Sequence, residues 1–258
     1  MQFKKQSGGT ITGLSLAGYA KNIDMKDEGK LTNVKIDGQD ADPEASYAAA
    51  PTVDPTSWSW INTDLTGDVI LAGNIASDVT LDATKSYLLT SSYIVQPGAK
   101  LTIPAGTQIK AVAGGADVYI AVLKGGQIDI QGSVDNPVLM TSDEGQSGDW
   151  GGLTLCGKAT TTAGVDAEAE VGGFKYGGSD DADNSGSIKN LVIVGTGAQI
   201  NTESQYNGIS FYAVGSGTVV ENVAVINGAD DGVEFFGGSV SVKNVYPVNS
   251  LSLGRLGG

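Results

Sequence analysis

The sequence predicts an all-β chain wound as a solenoid, a parallel β-helix with rungs of about 22–27 residues. Three observations carry that reading. One unit is written twice near the carboxyl end. Gly208-Ile209-Ser210-Phe211 leads through a glycine turn to Glu221-Asn222-Val223-Ala224-Val225, and 24 residues after Gly208 the run Gly232-Val233-Glu234-Phe235 leads to Lys243-Asn244-Val245-Tyr246. Upstream, Gly98-Ala99-Lys100-Leu101-Thr102-Ile103 and Gly125-Gly126-Gln127-Ile128-Asp129-Ile130 lie 27 residues apart and alternate apolar with polar, one side for a core and one for solvent. The composition agrees: 38 glycines and 7 prolines in 258 residues suit short strands joined by tight turns, and few windows show a helical apolar period. Helical arrays and leucine-rich repeats require patterns that are absent, and propeller blades need about four strands in roughly 40 residues.

Taken in order, residues 1–38 read as an amino-terminal rung-like segment: Gly13-Leu14-Ser15-Leu16 matches the Gly208 run, and Leu31-Thr32-Asn33-Val34-Lys35-Ile36 matches the Asn-led run. Residues 39–66 read as a linker or capping excursion, with Pro43, Pro51, Pro55, an alanine-rich patch, and Trp58 and Trp60. Tryptophans at i and i+2 share one side of an extended segment. They are expected to pack over an open end of the core, with a sugar-stacking platform as the sharper alternative. Residues 67–258 form the main β-helix, interrupted by a polar, glycine-rich, acidic insertion at 160–187. The Asn-led unit returns at Lys189-Asn190-Leu191-Val192-Ile193, and beyond Asn249 the pattern thins.

Asn33, Asn190, Asn222 and Asn244 hold one place in four units. They are expected to stack at equivalent turns as a structural ladder of amides. The lone Cys156 excludes an internal disulfide, and its apolar run predicts a buried, inert thiol. A net charge of −14 repels nucleic acid and anionic membranes, so no nucleic-acid partner is expected. No run has the length of a membrane span, and no signal sequence is visible.

The chemistry is sparse. There is no histidine, which removes the base of serine and cysteine nucleophile schemes and makes zinc improbable. Asp181-Ala182-Asp183-Asn184-Ser185-Gly186 places oxygens at alternate positions and glycine sixth, so a structural calcium on Asp181, Asp183 and Ser185 is an expectation. Val192 stands where a full calcium loop carries its glutamate. Asp230, Asp231 and Glu234 are the best carboxylate cluster for glycoside chemistry, which needs an acid and a base or nucleophile across the bond.

Three motifs carry a family resemblance: Gly148-Asp149-Trp150-Gly151-Gly152-Leu153-Thr154-Leu155-Cys156-Gly157-Lys158-Ala159, Tyr176-Gly177-Gly178-Ser179-Asp180-Asp181-Ala182-Asp183-Asn184-Ser185-Gly186 and Gly228-Ala229-Asp230-Asp231-Gly232-Val233-Glu234-Phe235-Phe236-Gly237-Gly238. With the stretch from Tyr87 through Ile109, the chain resembles, over residues 68–246, a family of right-handed parallel β-helix cell-surface proteins from Bacteroidota. The resemblance implies export, as a lipoprotein or through a type IX secretion tail, an outer-membrane or extracellular location, and no assigned activity. It also implies an architecture shared with pectin-lyase-like proteins. Two departures are visible: a rung and linker precede the family-like segment, and the pattern is left after Tyr246. Asp230-Asp231 is similar to the paired aspartates of polygalacturonases. The Gly-His-Gly and Arg-x-Lys elements of those enzymes are missing, and the one arginine, Arg255, lies in the thinned tail.

The predicted function is therefore a non-enzymatic extracellular β-helix, acting as surface scaffold, adhesin or self-assembling, filament-like subunit. The alternative is a carbohydrate-binding or carbohydrate-active surface protein with an extracellular glycan as partner. Self-association is expected head to tail, because Leu251-Ser252-Leu253 echoes Leu14-Ser15-Leu16 and each end of a β-helix exposes unpaired backbone groups.

Overall fold

A computed structural model of the chain describes residues 69–248 and, before them, 2–4, 11–12, 24–25, 35–36, 39–40 and Asp42. Asn33, Trp58, Trp60, Leu14-Ser15-Leu16 and Leu251-Ser252-Leu253 lie outside the described residues. Those described contain strands and turns without a helix, and the strands coil into a parallel β-helix with three faces.

Face one stacks the first half of β6 (Val69–Ile75), the first half of β8 (Ser86–Val95), β10 (Gln108–Ala111), β13 (Val138–Ser142), and the second halves of β17 (Gly186–Val194), β19 (Val219–Ile226) and β21 (Ser241–Val248). Face two stacks the second halves of β6 and β8 with β11 (Ile120–Val122), β14 (Leu153–Cys156), β18 (Ile209–Tyr212) and β20 (Val233–Phe236). Face three stacks β7 (Val79–Thr80), β9 (Lys100–Pro104), β12 (Gln127–Gln131) and the first halves of β17, β19 and β21. Every one of these pairings is parallel.

The alternation read from the sequence becomes columns of like side chains in the core, because equivalent residues of successive rungs sit in register. On face one Tyr87, Ile109, Met140, Ile193 and Val225 form a column, on face two Val95, Val122, Leu155, Phe211 and Phe235, and on face three Ile103, Ile130, Ile188, Val220 and Val242. All are buried in one apolar cluster. Phe211 and Phe235 stack at 5.3 Å between ring centroids, so identical shapes are repeated rather than interleaved.

The corner from face three to face one needs a residue in the left-handed region, and asparagine tolerates that region better than other side chains. Asn190, Asn222 and Asn244 occupy it with φ of 48°, 57° and 55°. Their amides form a ladder: Asn244 Nδ2 donates to Asn222 Oδ1 at 2.7 Å, Asn222 Nδ2 to Asn190 Oδ1 at 3.0 Å, and Asn190 Nδ2 to the Gly132 carbonyl at 2.8 Å.

The first residues of the chain do not begin the stack; they prolong its other end. β1 (Gln2–Lys4) pairs parallel with β20, matching Gln2 to Glu234, Phe3 to Phe235 and Lys4 to Phe236. β2 (Ile11–Thr12) pairs with β21, and β3 (Asp24–Met25) with β1. β4 (Lys35–Ile36) and β5 (Gln39–Asp40) form an antiparallel pair. Along face two the spatial order is thus β6, β8, β11, β14, β18, β20, β1, β3.

Candidate functional site

Face two departs on its outer side from the alternation seen on face three. Strands β14, β18 and β20 are buried at every residue, where the outer strands of face three alternate. Their sequences carry the reason: Cys156, Tyr212 and Phe236 are apolar at outward positions and stack in register. Tyr212 and Phe236 lie 4.0 Å apart at 10°, and Tyr176 tilts against Tyr212 at 5.0 Å.

The cover is the excursion between β14 and β17. It contains the antiparallel pair β15 (Ala167–Glu168) and β16 (Lys175–Tyr176) and sets Ala169, Val171 and Tyr176 onto the column. Read as a polar insertion at 160–187, the excursion leaves the stack of rungs at Gly157, rejoins it at Gly186, and builds a second small core. Lys124 pins it by an ion pair to Asp166 and a hydrogen bond to the Gly177 carbonyl. The loop ahead of β18 adds Ala198 and Tyr206, whose ring stacks on Tyr119 at 5.2 Å.

Under this cover lies a polar group. Glu234, 3% exposed, points outward from β20, and its Oε2 accepts from Asn207 Nδ2 at 2.7 Å. The same amide nitrogen lies 3.0 Å from Ser210 Oγ. Asn207 Oδ1 and the Tyr212 hydroxyl are buried without a hydrogen-bond partner among the described residues. Burial, and then the Glu234 charge, raise the Tyr212 phenol well above its usual range. Burial also pushes the Cys156 thiol up to about 12, so it is a packing group rather than a nucleophile.

The carboxylates singled out from the sequence divide accordingly. Glu234 lies under the cover and Asp231, 2% exposed, sits in the turn entering β20, where its carbonyl accepts the Gly208 N–H at 2.9 Å. Asp230 is half-buried in the same turn. The sequence missed Asn207, Ser210 and Tyr212. The signal for them was the loss of alternation in Ile209-Ser210-Phe211-Tyr212, which announces a strand covered on both sides.

Asp181 Oδ1, Asp183 Oδ2 and Ser185 Oγ each make a hydrogen bond within the chain. Asp181 Oδ1 accepts the Thr160 N–H at 2.8 Å, which holds its carboxyl below the usual range, and its carbonyl accepts from Ser216 and Ser239. Asp183 is buried and accepts from Ser185 Oγ at 3.1 Å. Among the described residues no three acidic, cysteine or histidine side chains are grouped to hold a metal.

A separate polar cleft of about 270 Å³ opens beside face three, lined by Asp78, Lys100, Gln127, Lys158 and Asn184. Neither lysine is in an ion pair among the described residues.

With parallel strands, three faces and an in-register core established, the comparison with known families is decisive: the pectate-lyase-like β-helix domain matches residues 73–252. The chain belongs to that family. No curated protein and no solved structure matches it. In this β-helix domain the match begins inside β6 and takes in every rung through β21, while β1–β5 lie ahead of it. No helix among the described residues is long and apolar enough to cross a membrane.

Proposed function

We propose that the chain is a non-enzymatic extracellular scaffold that assembles with copies of itself. The observation that supports this reading is the burial of two of the three candidate carboxylates: Glu234 and Asp231 are 3% and 2% exposed, and Asp230 is half-buried. Side chains buried to that extent do not reach a glycosidic bond, and glycoside hydrolysis requires both carboxyls at the scissile bond. No cofactor is invoked. The test is incubation with neutral and uronate polysaccharides, read by reducing ends and by absorbance of unsaturated products. The expected result is no release above the blank, with Glu234→Gln identical to the parent. Turnover abolished in Glu234→Gln overturns the reading.

A second reading, glycan binding, is favoured by the cleft at Lys100 and Lys158. In a chain of net charge −14, two lysines outside ion pairs among the described residues, beside the Gln127 and Asn184 side chains, suit an acidic saccharide. Calorimetry with oligogalacturonate tests it. Binding that is lost in Lys158→Glu supports the reading, and no heat with the parent protein removes it.

A further inference from the structure

We propose that the segment carrying β1–β3 is exchanged between copies, so that the first strands of one molecule complete the β20/β21 end of another and join molecules coaxially into an open filament. The inference rests on the self-assembly reading above and supplies its partner, a second copy of this chain, and its contact.

The argument starts from order. Inside the main stack, each strand of face two is followed upward by the next one in sequence: β6, β8, β11, β14, β18, β20. The next places are taken by β1 and β3, residues from the opposite end of the chain. The register is that of ordinary successive rungs, since Phe3 follows Phe211 and Phe235. On face three β2 follows β21 in the same way, Ile11 above Val242. The end of the stack therefore accepts the amino-terminal strands as its next rungs.

Within one molecule this geometry obliges the chain between Asp42 and Val69 to travel the length of the solenoid, from the rung of β3 back to that of β6. Seven strand spacings of about 4.8 Å make this roughly 34 Å. If β1–β3 instead sit on a neighbour's β20/β21 end, the β6 of their own molecule is the next rung along the same axis. The strands then succeed one another in chain order through the whole assembly, and the connection joins adjacent rungs. The β20–β1 and β21–β2 pairings are the same in the two arrangements, which is the condition for domain swapping. The contact is heterologous and does not close on itself, so it propagates. The balance is set by concentration, because the 26 residues between Asp42 and Val69 allow about 86 Å at full extension and so permit the intramolecular return.

The experiment follows from that length. Deleting residues 45–64 leaves six residues between Asp42 and Val69, about 20 Å fully extended, too short to return but ample for the next rung. Parent and shortened chains are refolded at increasing concentration and measured by light scattering, with circular dichroism confirming strand content. The expected result is a parent that passes from monomer to an open series of oligomers, and a shortened chain oligomeric at every concentration. A folded, monomeric shortened chain overturns the proposal. If the shortened chain does not fold, a parent that stays monomeric when refolded at millimolar concentration overturns it. Failure here leaves the polysaccharide result untouched, and turnover in that assay leaves the exchange standing, so the two readings fall separately.

Discussion

Replacing Asn222 separates the two roles of the ladder residue. Its side chain accepts from Asn244 and donates to Asn190, at 2.7 and 3.0 Å, and its backbone is left-handed at φ 57°. Asn222→Gly keeps the backbone free to adopt that conformation but removes both bonds. Exposed amide bonds fall at the low end of their usual net worth, so their loss costs about 1 kcal/mol together. Asn222→Ala removes the same bonds and keeps a Cβ in the left-handed region without the short polar side chain that lets asparagine tolerate it, which adds about 1 kcal/mol. The expected order is therefore parent, then Gly at about 1 kcal/mol, then Ala at about 2 kcal/mol. Urea unfolding followed by tryptophan fluorescence measures it, with the slope of the transition compared across the three proteins. A glycine variant as costly as the alanine one, or two variants both indistinguishable from the parent, refutes the account of the corner.

Three further expectations follow. Gly186→Ala places a Cβ 1.8 Å from the Ile128 carbonyl oxygen at a φ of 118°, and is expected to cost more than about 4 kcal/mol or to prevent folding; a thermal midpoint near the parent's contradicts it. Tyr212→Phe deletes a buried hydroxyl that has no partner among the described residues, and is expected to be neutral or stabilising by about 1 kcal/mol; a clear loss in urea unfolding shows that the hydroxyl is bonded. The Cys156 thiol, with a folded-state pKa raised from 9.0 to about 12, contributes stability that is complete below about pH 9 and is lost as pH rises towards 12. By pH 11 that loss is on the order of 3 kcal/mol. Unfolding curves between pH 8 and 11 should fall less steeply for Cys156→Ala than for the parent, and parallel slopes count against the buried thiol.

The architecture was legible because a β-helix repeats its local chemistry every rung. Asparagines at 190, 222 and 244 share a place in the sequence since each corner imposes the same left-handed backbone, and the alternation around Leu101 and Ile128 reports one buried side. The covered face was harder to read. The excursion is acidic and rich in glycine, so Val171 and Tyr176 are diluted among polar neighbours, although they cap Cys156 and Tyr212. Oxygen spacing in Asp181–Ser185 matched a calcium loop, but where each oxygen points depends on Thr160, Ser216 and Ser239, which come from distant turns. The docking of β1 on β20 rests on pairing across nearly the whole chain, and no local pattern specifies it. Position 234 illustrates the same limit: a carboxylate in a strand pattern reads as accessible until the loop over it is placed.

Strand β1 is made before every rung of the main stack, yet the residues that receive it, from Val233 onward, follow all the other rungs of that stack. Each rung of the main stack can settle on the one made just before it, so winding keeps pace with synthesis or with passage across a membrane. The opening segment alone must wait. Under the exchange proposed above, its acceptor is either the finished end of its own molecule or that of one made earlier, and whichever it reaches first decides its pairing. In that case the lifetime of nascent chains and their crowding at the site of synthesis become determinants of structure for a chain whose other rungs depend on neither.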